Sequence, residues 1–509
     1  MTLLSRISGL VRDVIFANIL GDKAAADVFF IAFRIPNFFR RIFGEGAFSL
    51  AFIPVFTDYR VNHSREETNA FLQILTGRFA LVLLVFCALG VLFSPLMVMM
   101  LAAGFIGQPE KFDLAVQATR ITFPYLFFIS LVALASAMLN SCGRFAAPAA
   151  TPILLNLSLI SAAILLVPRF DDSPIALSWG VIAAGLVQLL FQIPFLRKEK
   201  LSIKPRVLKR KGDEVAIDGT KRVFRLTLPA VLGVSVAQIN VIVNTILASF
   251  LVTGSISWLY YADRIVEFPL GVFGIALSTV ILPDLSKKYS KKSIQNFSST
   301  LDWAVRWVVL ICIPATVGIV LLATPTIATI YFHGDFTVNG VHKTAASLVA
   351  YALGLTPMVL VKVLAPGFYA RENTRTPVRI AMISMLVNIV FCLLLVFPLK
   401  HVGLALSTSL AAVVNSGLLY IILRRENVYT PDPGWLSFLF KVSISSAFMG
   451  MVLWWFVGPA EEWILQSIWQ RVIKLIALTA GGGILYFCAL LLLGIKPGAM
   501  MKSSKVAEL

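Results

Sequence analysis

The chain has 509 residues, of which 58% are hydrophobic and only 14% are charged, and its mean hydropathy is +0.86. Soluble globular proteins carry about 25% charged residues, so this composition excludes them and predicts a polytopic membrane protein. The net charge of +18 could indicate nucleic-acid binding, but the basic residues lie mostly in loops between apolar segments, as the positive-inside rule predicts.

The first apolar segment, LLSRISGLVRDVIFANIL, carries Arg6, Arg12 and Asp13. Because each residue of a helix turns by about 100°, Ser5, Ser8 and Arg12 fall on one face. The segment therefore predicts a membrane helix with a narrow polar strip.

The following stretch, from residue 24 to 59, is also apolar, yet it carries several charges. Among them are Asp27, Arg34, Arg40, Arg41 and Glu45. Each charge at the centre of a bilayer costs about 2.5–3.5 kcal/mol, so we expect these side chains to face a water-filled cavity or one another. Asp27 and Arg34 are seven residues apart and share a helical face. Pro36 and the Gly-Glu-Gly turn at 44–46 are predicted to break the helix.

Fourteen apolar spans can be counted, and the loop charges predict their orientation. With both termini in the cytoplasm, the inside loops and tail carry 25 Lys and Arg, and the outside connections carry 5, among them Lys23 and Lys111. The longest polar loop, 197–222, holds ten of these basic residues. It is either a solvated hinge or a binding segment for anionic lipid headgroups, and its polarity favours the hinge.

A third charged segment, YYADRIVEFPLGVFG, lies at 260–274. Tyr260, Asp263, Arg264 and Glu267 follow helical spacing and predict a continuous polar stripe. Arg264 and Glu267 could simply neutralise each other as a structural pair. Clustered arginines that face a cavity would instead suit a ligand with phosphates, which guanidinium groups bind in a bidentate manner.

The chain also contains an internal repeat at an offset of 229 residues. The offset brings Ala47, Ser49, Pro54 and Pro148 onto Ala276, Ser278, Pro283 and Pro377. An all-α fold with two six-helix lobes of the same topology is therefore predicted. The predicted divisions are a first lobe at 1–196, a cytoplasmic linker at 197–222, a second lobe at 223–424, and two additional spans with a cytoplasmic tail at 425–509.

No enzyme motif is visible in the sequence. The five cysteines show no metal-ligand spacing, and no phosphate-binding loop or nucleophile triad is present. We expect a transporter without a metal or cofactor, driven by the membrane potential or an ion gradient.

Four motifs resemble the MurJ (MviN) family of lipid II flippases, which is part of the MATE-like MOP exporter superfamily. They are SRISGLVRD at 5–13, ADVFFIAFRIPNFFRRIFGEGAFSLAFIPVF at 26–56, SWLYYADRIVEFPLGVFGIALSTVILPDLS at 257–286, and VKVLAPGFYARENTRTPV at 361–378. The resemblance covers essentially the whole chain. It implies transport of lipid II, the undecaprenyl-diphosphate-linked peptidoglycan precursor, to the outer leaflet of the bacterial inner membrane.

The resemblance also implies roles for individual residues. The substrate-binding arginines of the cavity would be Arg6, Arg12, Arg40 and Arg264. The supporting or gating residues would be Ser5, Asp13, Asp27, Arg34, Glu45, Asp263 and Glu267. The two additional spans, at 435–458 and 471–495, would form a groove for the lipid tail, and the cell-wall synthesis machinery would be a further partner. The family usually has a longer segment before Ser5, so the first span is expected to be short.

Two other transport functions stay open on the residues alone. A drug or cation antiporter of the same fold should have an acidic or aromatic site, whereas this chain places arginines in its apolar spans. A flippase for another polyprenyl-linked glycan would need the same arginines, and only the family motifs argue against it. A membrane enzyme would need a sizeable domain outside the membrane, and the longest polar loop is 197–222.

Overall fold

The computed structural model describes residues 2–43, 47–170, 172–201, 204–208, 210, 212–291 and 293–495. The described part of the chain is built from α-helices with short 3₁₀ and π turns and contains no strand. Its residues group into two units, Met1–Ser257 and Trp258–Leu509.

The first unit contains ten helices in its described part. They are α1 Thr2–Leu20, α2 Ala24–Phe43, α3 Ala47–Asn62, α4 Arg65–Leu92, α5 Ser94–Leu101, α6 Pro109–Thr122, α7 Tyr125–Ser141, α8 Ala146–Leu165, α9 Ser173–Lys198 and α10 Glu214–Ser249. The helix α2 runs through Pro36, so the prediction that this proline breaks the helix is wrong. Pro36 is tolerated because neighbouring helices can satisfy the backbone group that it frees.

The next helix, α11 Ser255–Pro269, begins at the end of the first unit and leads into the second. The remaining helices are α12 Ile275–Ser290, α13 Ile294–Leu321, α14 Ala323–Ile330, α15 Val338–Ala352, α16 Leu355–Tyr369, α17 Arg375–Arg425, α18 Trp435–Val457, α19 Ala460–Leu465 and α20 Ile468–Leu492. A π-helical turn at Leu270–Gly274 joins α11 to α12.

The helix boundaries repeat at the offset that the sequence predicted. Shifted by 229 residues, α4 and α5 coincide with α13 and α14 at both ends, and the first residues of α6 and α8 coincide with those of α15 and α17. The α6–α7 and α15–α16 pairs are both interrupted, at Phe123–Pro124 and at Leu353–Gly354, which is one residue beyond the position that the offset gives. The repeat therefore extends to where the helices begin and break.

Ten helical segments of the described chain are long and apolar enough to cross a membrane. One of them is α17, which has 51 residues and a kink at Lys400 with φ 52° and ψ −129°, so it covers two of the predicted spans. The helices α1 and α2 carry three and four charged residues in their 19 and 20 positions. The ten candidate segments, the second span within α17 and the more highly charged helices α1 and α2 are together compatible with the fourteen predicted spans.

Stacked aromatic rings build the core of the first unit. Phe48 lies 4.7 Å from Phe79, Phe52 lies 5.1 Å from Phe56, and Tyr59 lies 4.3 Å from Phe71 between ring centroids. Each such pair stabilises the fold by about 0.5–1.5 kcal/mol beyond its buried area.

The helix α10 also packs against α3 and α4, and the structure groups it with the first unit. The predicted lobe division at 197–222 stays a prediction.

The last two long helices of the second unit are tied to α13 and α14. Asp302 of α13 is buried and accepts hydrogen bonds from Tyr429 Oη at 2.8 Å, Trp435 Nε1 at 2.6 Å and Arg306 Nε at 2.7 Å. Arg471 of α20 donates to the Ala328 carbonyl of α14 at 2.9 Å. These bonds fix α18 and α20 within the second unit.

Candidate substrate site

Arg12 lies in a buried polar network of the first unit. Its Nη2 and Nε atoms donate to Asp13 Oδ1 at 2.6 and 3.0 Å, and its Nη1 donates to Asn156 Oδ1 of α8 at 3.0 Å. The guanidinium carbon lies 5.6 Å from the centre of the Phe16 ring. Arg12 is only 4% exposed, and its ion pair with the Asp13 carboxylate offsets its charge inside the unit.

The polar strip that was predicted along α1 meets α8 at Asn156. The Asn156 side chain donates to the Ser5 carbonyl at 3.1 Å and to Ser8 Oγ at 2.9 Å, and it accepts from Arg12. Sequence reasoning identified the strip but missed Asn156, although a lone asparagine in the apolar run LLNLSL is an available signal. Arg6 of α1 is half-buried.

Asp27 anchors the beginning of α11 to α2. It is 1% exposed and accepts hydrogen bonds from Lys111 Nζ at 3.1 Å, Gly254 N at 2.8 Å and Ser257 N at 3.0 Å. Lys111 Nζ also donates to Thr253 Oγ1 at 3.3 Å. A carboxylate at a helix N-terminus satisfies backbone donors that have no partner within the helix. Asp27 therefore stabilises the chain that leads into α11.

Two further charges of α2, those of Arg34 and Arg40, have partners in the same unit. Arg34 Nη1 donates to the hydroxyl of Thr245 on α10, and Thr245 in turn donates to the Val241 carbonyl at 2.6 Å. Arg40 is half-buried, and its Nε donates to Asn37 Oδ1 at 2.7 Å. Glu45 lies outside the described residues.

In the second unit, Arg264 contacts two other residues of the predicted stripe on α11. Arg264 Nη1 lies 2.7 Å from Glu267 Oε2, and the Arg264 guanidinium lies 5.8 Å from the centre of the Tyr260 ring. The Arg264 side chain is 31% exposed, and Asp263 beside it is exposed. The intrahelical pair with Glu267 is thus present, and Arg264 is more accessible than Arg12.

Hydrogen bonds and ion pairs bring several of the predicted residues together in three small groups. Arg12 and Asp13 meet around Asn156, Asp27 meets Lys111, and Arg264 meets Glu267. No cluster of three or more potential metal ligands occurs among the described residues. The roles of these residues in substrate binding stay predictions.

A separate cavity of about 350 Å³ lies between the end of α3 and the beginning of α10. Its walls include Asp58, Tyr59, His63, Asp218 and Arg222. Hydrogen bonds from Asn62 and then from Arg222 hold the pKa of Asp58 below its usual value. None of these residues belongs to the predicted site.

The sequence model of the family described as lipid II flippase MurJ matches residues 16–473. The chain belongs to this family. The probable lipid II flippase MurJ of Haemophilus influenzae is 41% identical, with 97% of this chain and 98% of that protein covered. The lipid II flippase MurJ of Burkholderia cenocepacia is 36% identical, with 99% and 98% covered.

A solved structure described as lipid II flippase MurJ in an inward closed conformation matches with a TM-score of 0.81 and 30% identity, covering 96% of each chain. An inward-facing multidrug resistance MATE transporter matches with a TM-score of 0.67, 14% identity and coverage of 83% of this chain and 94% of the other. The second likeness shows the fold alone. The predicted MATE-like, all-α fold is confirmed, and MurJ membership makes the chain a multi-pass inner-membrane transporter.

Proposed function

We propose that this chain moves lipid II from the inner to the outer leaflet of the bacterial cytoplasmic membrane for peptidoglycan synthesis. The observation that carries the proposal is the MurJ match, which covers nearly the whole chain and extends to a MurJ structure. Translocation changes no covalent bond, so the protein needs to bind the diphosphate head, shield it from the lipid interior, and release it.

The proposed ligands of the diphosphate are Arg6, Arg12, Arg40 and Arg264. Guanidinium groups suit this role because their planar donors match phosphate oxygens. The Arg264 side chain is 31% exposed, whereas that of Arg12 is 5% exposed, so we assign Arg264 a direct contact. Arg12 is buried against Asp13, so it must release part of that pair before it can bind substrate.

The proposed mechanism is alternating access, in which the protein exposes its site to one leaflet at a time. Substrate can drive such a change only if it binds an intermediate state more tightly than either open state. The membrane potential or an ion gradient would then supply direction. Among the acidic residues of the predicted set, Asp13, Asp27 and Glu267 have basic partners that a change of state would have to preserve or exchange.

Depletion of this protein in its host is expected to stop growth and to leave lipid II on the inner leaflet. The measurement is the accessibility of lipid II to a reagent that cannot cross the membrane, with total lipid II quantified in parallel. Accumulation of a different polyprenyl-linked glycan, with lipid II still reaching the outer leaflet, would contradict the proposal.

We further propose that both termini face the cytoplasm. A cysteine at Gly334, which is exposed between α14 and α15, should react with an impermeant thiol reagent in intact cells. A cysteine at Lys204, which is exposed between α9 and α10, should react only after the cells are permeabilised. The opposite labelling pattern would overturn this orientation.

A further inference from the structure

The segment that joins α9 to α10 is docked onto α4 in the first unit. We call its described residues, 199–201, 204–208, 210 and 212–213, the docked linker. The Arg206 backbone N–H donates to the Gln73 carbonyl at 3.0 Å. A Cβ atom built on Gly77 would lie only 2.5 Å from the Arg206 carbonyl oxygen. The absence of a side chain at Gly77 therefore lets the backbones of the docked linker and α4 touch.

Internal hydrogen bonds also order the docked linker. Arg206 Nη2 donates to Asp213 Oδ1, and the Arg210 backbone N–H donates to Asp213 Oδ2, both at 2.7 Å. Leu201 packs against the aromatic core of the unit. These contacts do not fit the freely solvated hinge that the polarity of the loop favoured.

The docking point lies where the neighbouring helices change from charged to apolar. In α4, Gly77 comes just before Arg78, and no charged residue follows until Glu110. The helix α9 is a candidate membrane span that ends in Arg197 and Lys198. Because charges collect at the edges of the hydrocarbon layer, both helices place the docked linker at the level of the lipid headgroups.

The exposed surface of the docked linker combines apolar and basic side chains. Leu208 is 81% exposed and Val207 is 46% exposed, whereas Lys204 and Arg210 are exposed beside them. The sequence places Lys209 and Lys211 in the same short run, KPRVLKRK. Basic clusters next to a membrane span are attracted to anionic lipid surfaces, and exposed apolar side chains among them can enter the interface.

We propose that the docked linker is a binding surface for anionic phospholipids. Val207 and Leu208 enter the headgroup layer, and Lys204 and Arg210 bind lipid phosphates. The contact with Gly77 holds this surface at the correct depth, so the connection between α9 and α10 lies on the membrane rather than in the solvent.

The test uses the full-length chain with an environment-sensitive fluorophore on Pro205→Cys, after replacement of the exposed Cys488 and the partly exposed Cys142 by alanine. The protein is placed in nanodiscs of phosphatidylcholine alone or of phosphatidylcholine with one quarter phosphatidylglycerol. We expect a blue shift and a severalfold brighter emission in the anionic nanodiscs, and a smaller effect at high salt. Emission that is the same in both lipids would overturn the proposal.

Two variants separate charge from docking. The double variant Lys204→Gln with Arg210→Gln should reduce the response to anionic lipid severalfold, whereas Lys287→Gln with Lys291→Gln, in another predicted cytoplasmic loop, should leave it unchanged. If both double variants reduced the fluorescence response equally, the binding would not be specific to the docked linker.

Gly77→Ala should also reduce the response, because its Cβ displaces the docked linker. Gly481→Ala should not, because its Cβ would meet no neighbouring atom.

Discussion

Replacement of Arg264 by alanine is expected to abolish growth of a strain that depends on this protein, although the variant still inserts into the membrane. The Arg264 side chain is 31% exposed, far more than that of Arg12, and its partner Glu267 is only three residues away on the same helix. Arg264→Lys should restore growth poorly, because a single ammonium cannot replace the bidentate guanidinium. Growth and membrane abundance are measured together at native expression.

The matched control for this prediction is Arg144→Ala. Arg144 also forms a 2.7 Å ion pair, with Glu199, but its side chain is 67% exposed and it lies outside the predicted site. This variant should support full growth, since exposed ion pairs contribute little to stability. Full growth of the Arg264→Ala strain would remove the ligand role and leave only the structural pair with Glu267.

Replacement of Asp27 by alanine is expected to destabilise the first unit strongly. The change leaves the ammonium of Lys111 buried without its carboxylate and removes the acceptor for two backbone N–H groups, of Gly254 and Ser257. Removing one partner from a buried ion pair typically costs about 3–5 kcal/mol. The measurement is the melting temperature of the purified protein in detergent, with monodispersity after mild heating as a second readout.

A second substitution tests whether the unpaired charge causes this loss. Asp27→Asn combined with Lys111→Met should be more stable than Asp27→Ala alone, because no buried charge remains unpaired. Asp58→Ala serves as the control, since Asp58 forms its 3.0 Å ion pair with Arg222 at an exposed position. If Asp27→Ala melted at the same temperature as Asp58→Ala, the anchoring role of Asp27 would be wrong.

Much of the fold could be predicted from sequence because it depends on local signals. Apolar length predicts a membrane helix, and a few matches at one offset were enough to find the repeat, such as Pro148 with Pro377, which lie in the first turns of α8 and α17. The matching ends of α4 and α13 confirm that these signals recur in both halves. The stripe from Tyr260 to Glu267 was predictable for the same reason, since helical spacing determines which residues share a face.

The partners of buried charges could not be predicted in the same way. Helical spacing shows which face a charge occupies, but not which helix packs against that face. Loop counting assigned Lys111 to an outside connection, whereas the structure buries it against Asp27, 84 residues away in sequence. Asn156 was missed because its contact with Arg12 spans 144 residues. Such pairs arise from tertiary packing, and a single sequence does not encode them visibly.

The π turn at Leu270–Gly274 sets the rotational phase between two helices. A π turn carries about one residue more than an α turn, and one residue corresponds to about 100° of rotation. The face that carries the polar stripe is therefore offset by about 100° on α12 relative to an uninterrupted α-helix. The helix α12 packs against α13 and α16. Loss of a single residue from this turn would rotate the side of α11 that carries Arg264 by more than a quarter of a circle relative to α12. The orientation of the stripe thus depends on the number of residues between Glu267 and Pro283 as well as on which residues they are.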